Sequence, residues 1–262
     1  MIAGEIRLAE GRLETGRWGP GPEAAPTIVL LHEGLGSLLL WRDFPERLAA
    51  ATGCGVFAFS RFGYGGSDPC TLPRPLDYMQ REGREVLPRV LDAIGLRRGI
   101  LLGHSDGGSI AAIHAGSVQD LRVQGLVLLA PHFFTEPAGL AAIRVARERY
   151  ATGDLRARLA RHHRDVDGAF RGWAGAWLDP GFPAAFDLLP DVAHIRVPIL
   201  AIQGEADAYG TAEQLHALAR EADCPVEVRF LPGIGHAPQA EAPEAVLEVV
   251  RDFAARCWGP EG

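Results

Sequence analysis

Six short apolar runs punctuate the chain: TIVLLH (27–32), GVFAFS (55–60), GILLG (99–103), GLVLLA (125–130), VPILAIQG (197–204) and VEVRFL (226–231). They are too short for helices and lie between turn signals. Runs of this length read as strands buried on both faces, the mark of a parallel sheet. Upstream, residues 4–18 alternate and turn like a two-stranded antiparallel start. Helical periodicity fills most of the gaps, over about Leu40–Thr52, Pro75–Ile94, Asp106–Ser117, Ala212–Ala222 and Pro243–Trp258. Alternation of strand and helix predicts right-handed crossovers in an α/β, doubly wound, mostly parallel sheet.

One gap is longer than a crossover needs. Between the strands ending near Ala130 and beginning near Val197, the chain reads helically in pieces: GLAAIRVARERYATG, DLRARLARHHRDV and GAFRGWAGAWL. A structureless loop of that length is not expected inside a domain. The expected organisation is a core of residues 1–131 and 196–262 with an inserted helical cap, residues 132–195, over one end of the sheet.

Composition narrows the chemistry. The 262 residues are 47% hydrophobic and 23% charged, enough for a large core. A net charge of −7 and no basic stripe argue against nucleic acid. All 26 basic residues are arginine, so a Walker-type loop, a Schiff-base lysine, a pyridoxal-phosphate anchor and a Ser-Lys dyad are excluded. Cys54, Cys70, Cys224 and Cys257 show no CxxC spacing and read as free thiols in a reducing compartment. The N-terminal stretch has no apolar run typical of a signal peptide, and no window approaches a membrane span. A cytoplasmic protein with neither cofactor nor metal is the expectation, and a homodimer stays open.

The chemistry centres on GHSDG, residues 103–107. In an open α/β sheet, ligands bind beyond the carboxyl ends of the strands, where Ser105 sits between a strand and a helix. A tight strand-to-helix turn strains the serine and crowds the neighbouring backbone, so glycine is needed two residues to either side. The hydroxyl is thereby presented at the tip, with helix amides aimed at any oxyanion formed there. A serine needs a base, and the base an orienter. His236, after VEVRFL, is the candidate base. Asp207, after ILAIQ, is the candidate acid, with Glu205 as its alternative. The Asp106 amide should supply one oxyanion donor; Gly34, or else Leu35, the second. His104, Phe133, Phe134, Trp173, Trp177 and Tyr209 are candidates for the substrate pocket.

Glu33 is the unusual residue, because a carboxylate aimed at an oxyanion hole repels the charge that must be stabilised there. It is expected to point away and pair with Arg61 or Arg42. The run Arg61–Ser67 is glycine-rich, but its spacing is not G-x-G-x-x-G and Pro69 and Pro73 follow, so it reads as a structural turn. His162 and His163 are expected on a cap helix, where adjacent residues face different ways and make a poor metal pair. His114, His194 and His216 read as ordinary helix or loop residues.

HEGLGS, SRFGYGGSDP, GHSDGG, GEAD and GHAPQAEAPE occur in this order, and the chain resembles the α/β-hydrolase superfamily over essentially its whole length. The resemblance implies Ser105 as nucleophile, Asp207 as acid and His236 as general base, with a lid at the inserted segment. A serine at the elbow, where an aspartate would stand, speaks against the haloalkane dehalogenase and epoxide hydrolase branches. His32-Glu33 stands where the family usually has His-Gly. The implied substrate is a small-molecule carboxylic ester of short to medium acyl chain, including polyester oligomers. C–C bond hydrolases and enol-lactonases of aromatic degradation are the alternative, but their elbows typically carry Asn where this chain has His104. A non-catalytic receptor and an acyltransferase are the competitors from other classes.

Overall fold

A computed structural model describes residues 1–258. The antiparallel start forms β1 (Ile2–Leu8) and β2 (Gly11–Trp18). The apolar runs form β3 (Thr27–Leu31), β4 (Gly55–Phe59), β5 (Gly99–His104), β6 (Val123–Leu129), β7 (Ile199–Gly204) and β8 (Val226–Leu231). They make one eight-stranded sheet in the order β1-β2-β4-β3-β5-β6-β7-β8, parallel from β4 to β8. Alternation along each strand divides the core between the two faces. Val29, Leu31, Phe57, Phe59, Leu101 and Leu128 point to one face. Ile28, Leu30, Val56, Ile100, Leu102 and Leu129 point to the other.

Helices cover both faces. α1 (Phe44–Thr52) and, at the C-terminus, α12 (Pro243–Trp258) pack on the second face through Phe44, Leu48, Val246, Val250 and Phe253. The first face carries α2 (Tyr78–Arg81), a π turn (Glu82–Val86), α3 (Leu87–Ala93), α4 (Asp106–Ser117) and α10 (Glu213–Glu221). Between β6 and β7 lie α5 (Pro137–Thr152), α6 (Leu155–Leu159), α7 (Val166–Trp177), α8 (Phe182–Ala185) and α9 (Leu189–Val192); α11 (Pro238–Glu241) precedes α12.

Three local expectations differ from what forms. The helix expected from Leu40 begins at Phe44, because a 3-10 turn (Leu38–Trp41) ends at Arg42 with φ of 53°. The helix expected over 75–94 begins at Tyr78 and widens into the π turn. The Leu87 amide reaches back five residues to the Glu82 carbonyl, and Pro88, the next residue, has no amide to donate. Gly83 in that turn lies against α4, where a Cβ would stand 2.9 Å from the Ile110 carbonyl oxygen. His162 and His163 lie beyond the end of α6 rather than on a helix.

Candidate active site

Ser105 occupies the turn between β5 and α4 with φ of 53° and ψ of −119°, a conformation that costs a non-glycine residue energy. The flanking glycines permit it by close approach. A Cβ on Gly103 would stand 2.2 Å from the Gly107 carbonyl oxygen, and one on Gly107 would stand 2.0 Å from that of Leu31. The Ser105 amide donates to the Leu129 carbonyl at 2.9 Å, fixing the turn to the next strand.

Asp207 and His236 follow the carboxyl ends of β7 and β8 and meet side chain to side chain. His236 Nδ1 lies 2.9 Å from both carboxylate oxygens of Asp207. Those oxygens also accept from the Tyr209 amide at 2.8 Å and the Gln203 side-chain amide at 3.3 Å. Burial is the largest influence and raises the Asp207 pKa, but the hydrogen bond and charge of His236, with the Tyr209 amide and His132, together leave the acid below its usual value. Glu205, the alternative acid, is exposed and takes no part. With Nδ1 engaged, Nε2 is the nitrogen of His236 free to exchange a proton. His236 and Ser105 line one cavity. No hydrogen bond joins them among the described residues, and such bonds often close only when substrate arrives.

The amides of Asp106, Gly34 and Leu35 form no hydrogen bond among the described residues, and all three residues line the same cavity. Trp173 of α7 lies directly on Gly34, where a Cβ would stand 2.2 Å from its indole nitrogen. His163 ties the helical insertion to the same loop: its Nδ1 accepts from the Gly65 amide at 3.0 Å and its Nε2 lies 3.0 Å from the Leu35 carbonyl oxygen.

Glu33 corrects the expectation that it points away toward Arg61 or Arg42. The residue lines the cavity, and its carboxylate stands against His104, with Oε2 3.4 Å from Nδ1. Arg61 is buried beneath the loop and donates to the Glu33 main-chain carbonyl at 2.9 Å, leaving the carboxylate to the other side. Burial opposes its ionisation, but contact with His104 overcomes this and holds the Glu33 pKa near 2. His104 shows the complementary balance, burial lowering its pKa and Glu33 raising it to above the usual value.

The cavity encloses about 140 Å³, close to the volume of an engineered cavity that takes up benzene. Of the six pocket candidates, Trp173, Trp177 and Tyr209 form its wall. Phe133 is instead wholly buried in the sheet-face core and Phe134 packs at that core's margin, so neither lines it. His104 lies behind His236, ring centroids 5.1 Å apart, with its Nε2 2.7 Å from the His236 carbonyl oxygen.

His132, Gly139 and Ile143 also line the cavity and carried no distinguishing motif. His132 stands just past β6, so its place at the carboxyl edge was the available signal. Its ring lies 5.6 Å from that of His236, and its Nδ1 is buried without a partner. Burial first, and the neighbouring His236 second, push its pKa down to about 4. Behind the wall, the Tyr78 hydroxyl donates to Asp106 and accepts from the Trp177 indole at 3.2 Å.

Among the described residues, no group of three or more His, Cys, Asp or Glu side chains could hold a metal ion, and no helix is long and apolar enough to cross a membrane.

A model described as the alpha/beta hydrolase family matches residues 28–249. Epoxide hydrolase 3 of Xenopus tropicalis is 22% identical over 287 residues, covering 95% of this chain and 77% of that protein. The solved structure of an enol-lactonase from Burkholderia xenovorans superposes with a TM-score of 0.73 at 20% identity, covering 96% of this chain and 100% of the other. That of a thermophilic esterase from Thermogutta terrifontis gives 0.73 at 21% identity, covering 98% and 99%. Likeness at this level speaks for a shared fold, not a shared substrate. Since the family match runs from β3 through β8 and includes the tight turn at Ser105, this chain belongs to the alpha/beta hydrolase family.

Proposed function

We propose that the protein is a serine hydrolase that cleaves carboxylic esters with small acyl groups through an acyl-enzyme on Ser105. His236 takes the hydroxyl proton through Nε2 as Ser105 attacks the ester carbonyl, and returns it to the leaving alcohol. Asp207 holds the imidazole by Nδ1 and stabilises its charged form. The amides of Asp106 and Gly34, with Leu35 as the alternative to Gly34, receive the tetrahedral oxyanion. Water activated by His236 then releases the acid. Residues 132–195 act as the cap, lending Trp173 and Trp177 to the pocket.

One observation carries this reading: a serine on a strained turn shares a cavity with an imidazole whose far nitrogen is held by a buried carboxylate. The cavity volume favours acetyl to butyryl groups over long chains. Serine at position 105 argues against epoxide chemistry despite the similarity to an epoxide hydrolase.

The test is hydrolysis of p-nitrophenyl acetate, butyrate and octanoate, with an enol lactone and a dienoate ring-fission product beside them. A product burst on the short esters, absent in Ser105→Ala, supports the reading. Equal turnover by Ser105→Ala, or turnover of the ring-fission product alone, overturns it.

A further inference from the structure

We propose that Glu33 makes the cavity selective for esters carrying a positively charged, ammonium-type group. The inference deepens the esterase reading by naming a substrate class. The Glu33 side chain is 30% exposed, and the residue lines a cavity walled by Trp173, Trp177 and Tyr209. Charge-assisted hydrogen bonds to a carboxylate run at about 2.7–2.9 Å, and no described residue donates one to Glu33. His104 Nδ1 stands at 3.4 Å and also meets the Gln239 amide nitrogen at 3.0 Å, so its capacity is shared. Its other nitrogen is engaged by the His236 carbonyl. Arg61 is turned to the main-chain carbonyl of Glu33. A carboxylate only partly exposed, with spare acceptor positions, gains from a cation that pairs with it.

Position sharpens the point. Glu33 lines the same cavity as Gly34 and Leu35, the residues that follow it in the chain, so its charge opposes an oxyanion formed there. A cation on the substrate offsets that opposition and gains from the low-dielectric aromatic wall, which favours ammonium groups through the ring quadrupole. Neutral esters have no such compensation.

The experiment compares isosteric pairs. Acetylcholine is set against 3,3-dimethylbutyl acetate for charge on the alcohol side, and ethyl 4-aminobutanoate against ethyl pentanoate for charge on the acyl side. The wild type is expected to prefer the cationic member of at least one pair in kcat/KM. Glu33→Gln should lower that preference about tenfold, through KM. Equal loss on all four esters through kcat would mean that Glu33 acts through His104 on His236, and would overturn the proposal. So would an unchanged preference. Choline binding to Ser105→Ala, read by quenching of tryptophan fluorescence, separates this inference from the esterase reading. Binding that is lost in Ser105→Ala/Glu33→Gln supports the cation subsite even if no ester is cleaved, whereas ester cleavage without choline binding or charge preference sinks the subsite alone.

Discussion

Two carboxylate–imidazole pairs flank Ser105, and they are built in opposite ways. The Asp207 side chain is 1% exposed, meets His236 through both oxygens at 2.9 Å and takes two further donors. Glu33 is 30% exposed, stands 3.4 Å from His104 and has spare acceptor positions. The exposures of the imidazoles run the other way, 19% for His236 and 3% for His104. An imidazole serves as a base where one nitrogen is held and the other opens on substrate. His236 meets that condition. His104 engages its Nε2 with a main-chain carbonyl instead, and there the carboxylate rather than the ring is open to a ligand.

The comparison can be broken most sharply at the residue between the pairs. Ser105→Ala should lower kcat for short esters by about 10⁵-fold or more, measured with p-nitrophenyl butyrate. Asp207→Asn tests the tight pair and should cost about 10³- to 10⁴-fold in kcat with the fold intact by circular dichroism, because the amide no longer fixes the productive tautomer. A loss under tenfold would make the two pairs equivalent.

Gly107→Ala tests the floor on which both pairs stand. Its Cβ has no room beside the Leu31 carbonyl, so destabilisation of about 4 kcal/mol or more is expected in urea unfolding. His132 provides the contrast of an imidazole that makes no carboxylate contact among the described residues. Its pKa is about 4 in the folded protein, below the ordinary value of 6.5, so between those values the unfolded chain binds more protons. Stability is therefore lost as pH falls from 6.5 toward 4. In His132→Phe, that acid slope should flatten by roughly 3 kcal/mol; parallel slopes would refute the assignment.

The smallest effect belongs to the loose pair. Glu33→Gln should cost about 1 kcal/mol of stability at pH 7, after allowance for solvent screening. The sign follows from a folded pKa near 2, below the ordinary 4.5. The contribution is present above pH 4.5 and fades as pH falls toward 2. A cost as large as that of breaking a fully buried pair would show that Glu33 is structural.

Much of this architecture was legible in the chain because its signals are local. Each apolar run is a strand, and the glycines around Ser105 predict the turn it makes. The meeting of Asp207 and His236 was legible because each follows a strand by a few residues, which places it at the shared carboxyl edge. Glu33 was misjudged because Arg61 and Arg42 are the obvious opposite charges in sequence, whereas the buried partner that reaches the carboxylate is a histidine on another strand. Phe133 and Phe134 were misjudged because an aromatic ring past a strand end can turn either into the core or into the pocket. His132 was missed because a lone histidine has no motif.

The sequence by itself determined the strands, the crossovers, the strained serine turn and the loops at one edge, since these depend on period, on glycine and on neighbours within a few residues. Only the tertiary structure decided which carboxylate faces which imidazole, that Trp173 lies on Gly34, and that His163 reaches Leu35 across 128 residues of chain. Side-chain direction at such sites is set by packing among distant segments, and no local pattern encodes it.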